Sequence, residues 1–98
     1  MTENTGKLWI VGTPIGNLDD MTVRGRKILE VADVILAEDT RRMRVLLSTL
    51  GISKKEVVSL NMHNQEERVP FVIERLKKGA QIALSSDAGM PVVSDPGA

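Results

Sequence analysis

The strongest constraint in this sequence is an alternation. Four apolar runs, each five residues long, are separated by three stretches whose apolar residues recur at helical spacing. The runs are Lys7 to Val11, Asp33 to Ala37, Glu56 to Leu60 and Gln81 to Ser85. Consecutive apolar positions suit strands buried on both faces, whereas a sheet with one wet face would show polar residues at every second position. Strand and helix alternating in this way build βαβ units. The expected fold is therefore α/β, a mainly parallel sheet with helices on both faces and right-handed crossovers.

The helical stretches carry their own start and stop signals. Thr22 is placed to cap a helix from Val23 to about Val31, with Ile28, Leu29 and Ala32 facing the sheet and Arg24, Arg26, Lys27 and Glu30 facing water. A second helix over Thr40 to Leu50 presents Met43, Leu46, Leu47 and Leu50, and Gly51 stops it. For a third, Asn64 and Glu67 have the spacing of a capping box. Val69, Ile73 and Leu76 are its expected inner face, and Lys77-Lys78-Gly79 suits its end. Pro70 removes one helical hydrogen bond, so this helix either kinks there or begins near Val69.

Composition narrows the functional classes. The 98 residues suffice for one small domain, and 13 basic residues balance 13 acidic ones, so only local clusters can attract an anion. Without cysteine there is neither a disulfide framework nor a thiolate metal site, and one histidine builds no metal cluster; no metal is expected. Trp9 and Phe71 are the only aromatic residues, too few for single-stranded RNA binding by base stacking. Residues 1–6 are polar, are expected to form a flexible tail and lack the apolar stretch of a secretory signal. No apolar run approaches the ~20 residues that cross a bilayer, so a soluble, cytoplasmic protein with no membrane partner is expected.

Ligands of parallel α/β sheets collect at the carboxyl ends of the strands, and four loops of this chain lie there. The first, Gly12-Thr13-Pro14-Ile15-Gly16-Asn17, matches neither the dinucleotide fingerprint nor the lysine-bearing P-loop. In the second, Glu38-Asp39-Thr40-Arg41, Asp39 is either a helix cap or a ligand, and Arg41 is placed to meet a phosphate. Arg42 and Arg44 follow it. The third holds His63 and Asn64. The fourth, from Ser85 to Gly97, combines small residues with two prolines, Asp87 and Asp95. It is too long for an ordinary connection and offers main-chain groups and carboxylates to a ligand.

Taken together, Thr13-Pro14-Ile15-Gly16-Asn17-Leu18 with Asp20, Glu38-Asp39-Thr40-Arg41, His63-Asn64 and Ser86-Asp87-Ala88-Gly89-x-Pro91-x-x-Ser94-Asp95-Pro96-Gly97 resemble the tetrapyrrole methylase superfamily, and within it the branch that methylates ribosomal RNA. The resemblance runs from about Lys7 to Ala98. It implies that residues 7–98 are the N-terminal domain of a two-domain, homodimeric enzyme holding S-adenosylmethionine in a cleft between its domains. It places Ser86, Asp87, Ala88, Gly89, Met90 and Pro91 against the cofactor, and Pro14 beneath cofactor or substrate. Glu38, Asp39, Arg41, His63, Asn64 and Asp95 fall on the substrate side. Met90 departs from the threonine usual in this branch.

The implied reaction is transfer of a methyl group to the ribose 2′-oxygen of a cytidine in small-subunit ribosomal RNA. A hydroxyl acceptor benefits from a base, and the candidates are Glu38, Asp39, His63, Asp87 and Asp95. Arg41 and Asn64 are candidate substrate contacts. Two other readings compete: a methyltransferase acting on a corrin or porphyrin precursor, and a nucleotide-binding or interaction domain without catalysis. The second domain is expected beyond Ala98. One wall of a cleft orients and desolvates its reactants poorly, so the 98 residues alone are expected to be inactive.

Overall fold

A computed structural model of the chain describes residues 5–13 and 21–87, Asp87 through its backbone only. The elements are β1 (Lys7–Thr13), α1 (Val23–Val31), β2 (Val34–Ala37), α2 (Thr40–Leu50), β3 (Glu56–Ser59), α3 (Gln65–Lys77) and β4 (Gln81–Asp87). The four strands form one sheet in the order β1-β4-β2-β3, and every neighbouring pair is parallel. No helix among the described residues is long and apolar enough to cross a membrane.

The central strands are covered on both faces, but the edge strand β1 is not: against the expectation of a strand buried on both faces, Leu8 and Ile10 are 47% and 70% exposed and only Val11 and Thr13 are buried. All four residues of β2 are buried. Ile35, Ala83, Val11 and Ala37 pack with Leu29 and Ala32 beside α1 and with Met43 and Leu47 of α2. Val34, Leu36 and Ile82 point the opposite way and are covered by Phe71, Val72 and Leu76 of α3. Each fully buried side chain among Leu29, Val34, Ile35, Leu36 and Ile82 contributes about 1.5–3 kcal/mol of transfer free energy. The chain steps one way across the sheet from β1 to β2 to β3, then returns to β4. With one crossover hand, that reversal puts α3 on the face opposite α1 and α2.

The ends of α1 and α2 follow the sequence signals. The Thr22 hydroxyl accepts from Gly25 N at 2.9 Å. Gly51 ends α2 in the left-handed conformation at φ 77°, its N–H bonded to Leu47 O and Ser48 O. Lys55, from the loop after α2, donates to Ala32 O at 2.7 Å and also to Glu30 O, placing a cation on the carboxyl end of α1. Gly25 is buried where α1 meets β1. A Cβ there would stand 2.9 Å from Met21 Cε and 3.2 Å from Val11 Cγ1.

Five further expectations are corrected. β1 and β4 each run two residues beyond the apolar run, because their register continues through Gly12↔Ser86 and Thr13↔Asp87. Gly12 is thus a strand residue rather than the turn, and Ser86 and Asp87 end a strand rather than open a loop. The capping box at Asn64 does not form; the Asn64 side chain makes no hydrogen bond to α3. Of the two alternatives at Pro70, the start near Val69 is excluded: helix α3 begins at Gln65 and runs through Pro70. Its inner face is Phe71, Val72 and Leu76, while Val69 and Ile73 are 50% and 46% exposed. Gly6, assigned from sequence to the tail, donates to Leu76 O at 2.8 Å, and a Cβ on it would collide with Ala80 O.

Candidate functional site

All four strands point the same way, so their carboxyl ends form one edge. The registers Gly12↔Ser86, Leu36↔Leu84 and Ala37↔Ser59 set the levels along it. Two residues past Leu36 and Leu84, Glu38 and Ser86 lie at one level, flanked by Gly12 on β1 and Leu60 after β3. The Leu60 N–H donates to Ala37 O at 3.0 Å, carrying the pairing of β2 and β3 one step past the strand. At β2 and β3 the following helices leave toward opposite faces. Neighbouring strands with diverging connections open a crevice in which ligands of such sheets bind.

Two turns border this crevice. After β2, Asp39 has extended backbone and its Oδ1 accepts from Arg41 N and Arg42 N, both at 3.1 Å. Those N–H groups have no partner within the helix, so the carboxylate satisfies them and opposes the positive end of the helix dipole. Glu38 and the side chain of Arg41 are exposed beside it. Asp39 is thus a cap with one carboxylate oxygen engaged twice, and Glu38 is the carboxylate of this turn not bound to the main chain.

The turn after β3 is organised by residues that the sequence did not mark. Asn61 Oδ1 accepts from His63 N at 2.8 Å and Asn64 N at 3.1 Å. Asn64 Oδ1 accepts from Asn61 N at 2.8 Å, so the two asparagines close the turn on each other. Asn64 Nδ2 donates to Ser59 Oγ at 2.9 Å. Arg68, one turn into α3, donates through Nε to Ser59 O at 2.8 Å and through Nη2 to Ser59 Oγ at 3.3 Å. The candidate substrate contact Asn64 is half-buried with both ends of its amide bonded inside this turn, whereas His63 is exposed. The one available cue was the Asn61-x-x-Asn64 spacing, since asparagine side chains mimic turns of the backbone.

At the other end of the edge, the Thr13 hydroxyl donates to Ser86 O at 3.1 Å, tying the ends of β1 and β4 together. Ser85 and Ser86 are half-buried, and a Cβ on Gly12 would meet no described atom within 4 Å. Small side chains and exposed main chain at this level suit a ligand that lies across strand ends. Pro14, Ala88, Gly89, Met90, Pro91 and Asp95 lie outside the described residues. Of the sequence-predicted set, the fold gathers Glu38, Asp39, Arg41, His63, Asn64, Ser86 and the backbone of Asp87 on one edge. Among the described residues no group of three histidine, cysteine or carboxylate side chains is arranged to hold a metal ion.

The family model for Tetrapyrrole (Corrin/Porphyrin) Methylases matches residues 7–98. The ribosomal RNA small subunit methyltransferase I of Thermotoga maritima is 55% identical over 92 residues, 94% of this chain and 41% of that protein. The protein of the same name from Haemophilus influenzae is 52% identical over 97 residues, 99% of this chain and 34% of its own length. That from Escherichia coli O157:H7 is 45% identical over 92 residues, 94% of this chain and 32% of its own. The chain spans between about a third and two fifths of the length of these relatives.

Proposed function

This chain belongs to the tetrapyrrole (corrin/porphyrin) methylase family, and from that premise we propose that it forms the N-terminal domain of an S-adenosylmethionine-dependent methyltransferase acting on small-subunit ribosomal RNA. The observation that carries the reading is the identity of 45–55% to relatives named for that RNA, against a family description that names only tetrapyrroles. The acceptor in this reading is the ribose 2′-oxygen of a cytidine. A second domain beyond Ala98 supplies the other wall of the cleft, and the enzyme works in the cytoplasm as a homodimer.

The carboxyl edge fits the cofactor in outline. Ser86, Asp87 and the stretch Ala88, Gly89, Met90 and Pro91 would hold it, with Pro14 entering from the end of β1. The small residues Gly12, Ser85 and Ser86 leave room for a ligand over β1 and β4. S-adenosylmethionine, when bound, supplies an electrophilic methyl group. What remains for the protein is to orient the ribose and accept the proton of its 2′-hydroxyl. Among Glu38, Asp39, His63 and Asp95, the cap role of Asp39 leaves Glu38 and His63 as the better bases on the described edge. Arg41 is placed to hold a phosphate near them, and Asn64 to keep the turn that carries His63 in shape.

The test is methyl transfer by the full-length protein from labelled S-adenosylmethionine, with small ribosomal subunits and a porphyrin precursor offered separately. Label on a ribose of the small-subunit RNA is expected. Label on the macrocycle instead would keep the cofactor and move the acceptor. Label on neither would sink the methyltransferase reading for these acceptors.

A further inference from the structure

Helices that return between parallel strands start at the carboxyl edge, so the first turns of α1, α2 and α3 all border the candidate site. Their charges differ sharply. Arg24, Arg26 and Lys27 lie in the first five residues of α1, and Arg41, Arg42 and Arg44 in the first five of α2. Neither helix has an acidic residue in its first turn or a basic one in its last. Helix α3 has the opposite and electrostatically favourable layout, with Glu66 and Glu67 at its start and Arg75 and Lys77 at its end. Cations near a helix N-terminus oppose the macrodipole; of the six, Arg26 is accounted for by its bond to Leu50 O, the last carbonyl of α2, and the others are not explained by helix stability.

Four of the six are also without an ion-pair partner among the described residues. Arg26 pairs with Glu30 at 3.3 Å, and Arg42 has a partner. Arg24, Lys27, Arg41 and Arg44 are exposed and make no ion pair with a described residue. Of the described carboxylates nearby, Asp39 is turned onto main-chain N–H groups, Glu30 holds Arg26, and Glu38 makes no ion pair with these four. The protein's zero net charge therefore conceals a division. Among the described residues the α1–α2 side carries six cations against Glu30, Glu38 and Asp39, and the α3 side begins with Glu66 and Glu67.

We infer that Arg24, Lys27, Arg41 and Arg44 form a phosphate-binding rim that lays the RNA backbone along the α1–α2 side of the site. This rests on the RNA reading above and adds the side and the residues through which the RNA approaches. The ligand class follows from the chemistry. Side chains on successive turns of two helices match the repeating charges of a polyanion, and phosphate contacts fix register without reading sequence. Residues Glu66 and Glu67 repel the same backbone on the opposite side.

The experiment uses the full-length protein and protein-free small-subunit ribosomal RNA, with Kd measured by filter binding from about 50 to 200 mM salt. A rim variant carries Arg24→Gln, Lys27→Gln, Arg41→Gln and Arg44→Gln. A comparison variant carries Lys54→Gln, Lys77→Gln and Lys78→Gln at the opposite edge of the sheet. The rim variant should lose roughly tenfold or more in affinity at low salt. Its slope of log K against log salt should flatten by about 3, from ~0.7 for each lost contact to a single strand. The comparison variant should bind like the unaltered protein, and thermal melts should show both variants folded. Wild-type affinity and slope in the rim variant, or equal losses in the two variants, would overturn the rim. If the unaltered protein labels RNA while the rim variant binds normally, only the rim fails. If it labels a macrocycle and not RNA, the RNA reading fails and takes the rim with it.

Discussion

Helices α2 and α3 begin at the same edge of one sheet and face the same problem, N–H groups without partners inside the helix, yet they meet it in opposite ways. At α2 a side chain does the capping: Asp39 takes two N–H groups while three arginines crowd the first five residues. At α3 no side chain caps, and Glu66 and Glu67 complement the dipole instead. The polar side chains at the start of α3 turn backward: Asn64 bonds Asn61 N and Ser59 Oγ, and Arg68 donates to Ser59 O. Those before and within α2 leave Glu38, Arg41 and Arg44 exposed. One turn spends its polar groups on architecture, and in the function proposed above the other keeps them for a ligand.

The sharpest way to break this contrast is at Asn64. Asn64→Ala removes the acceptor of Asn61 N and the donor to Ser59 Oγ in a half-buried turn. Unsatisfied groups of this kind cost about 1–3 kcal/mol each, so a loss of about 2–3 kcal/mol is expected in urea unfolding. Asn64→Asp keeps the acceptor and loses the donor, and should fall between. A variant that unfolds like the parent yet loses RNA methylation would move Asn64 from architecture to substrate binding.

Asp39 gives the next largest effect and separates capping from chemistry. Asp39→Ala removes the cap and should cost about 1 kcal/mol, within a range of about 0.5–2. Asp39→Asn retains a capping oxygen but no carboxylate, and should leave both stability and turnover near the parent. Glu38→Gln should leave stability unchanged and lower turnover. An equal or larger loss of turnover in Asp39→Asn would transfer the base from Glu38 to Asp39.

The same contrast explains what the sequence could tell. β2 was legible because burial on both faces leaves no polar alternation to misread, and its four residues are all buried. Thr22 and Gly51 were legible as caps from local chemistry, Asp39 only as one of two alternatives, and at Asn64 the same local signal failed because the side chain is taken by Asn61 and Ser59. The inner face of α3 was not. Val69, Phe71, Val72, Ile73 and Leu76 contain two overlapping stripes at helical spacing, and only the position of the sheet selects Phe71, Val72 and Leu76. The ends of β1 and β4 depend on pairing between residues more than 70 positions apart, as Gly12 with Ser86 shows. In the site, the loops at the strand ends were found by topology. The hub of Ser59, Asn61 and Arg68 was missed because polar residues in a polar loop carry no periodic signal.

The smallest expected effect tests the charge layout directly. If α1 and α2 carry cations at their starts for a ligand and against their own stability, relieving that conflict should stabilise the protein. Arg41→Glu, at the second position of α2, places an anion where the dipole favours one. It should raise stability by about 0.3–1 kcal/mol at low salt. Glu66→Lys, at the second position of α3, makes the reverse change and should lower stability by a similar amount. Salt screens exposed charges, so both shifts should shrink toward zero as ionic strength rises. RNA affinity should move the other way: Arg41→Glu weakens binding as it stabilises the fold, and Glu66→Lys strengthens binding as it destabilises. Opposed signs in both variants identify charges kept at a cost to stability. If Arg41→Glu lowers stability instead, the arginine has a structural partner at the edge, and its place at the start of α2 is architectural after all.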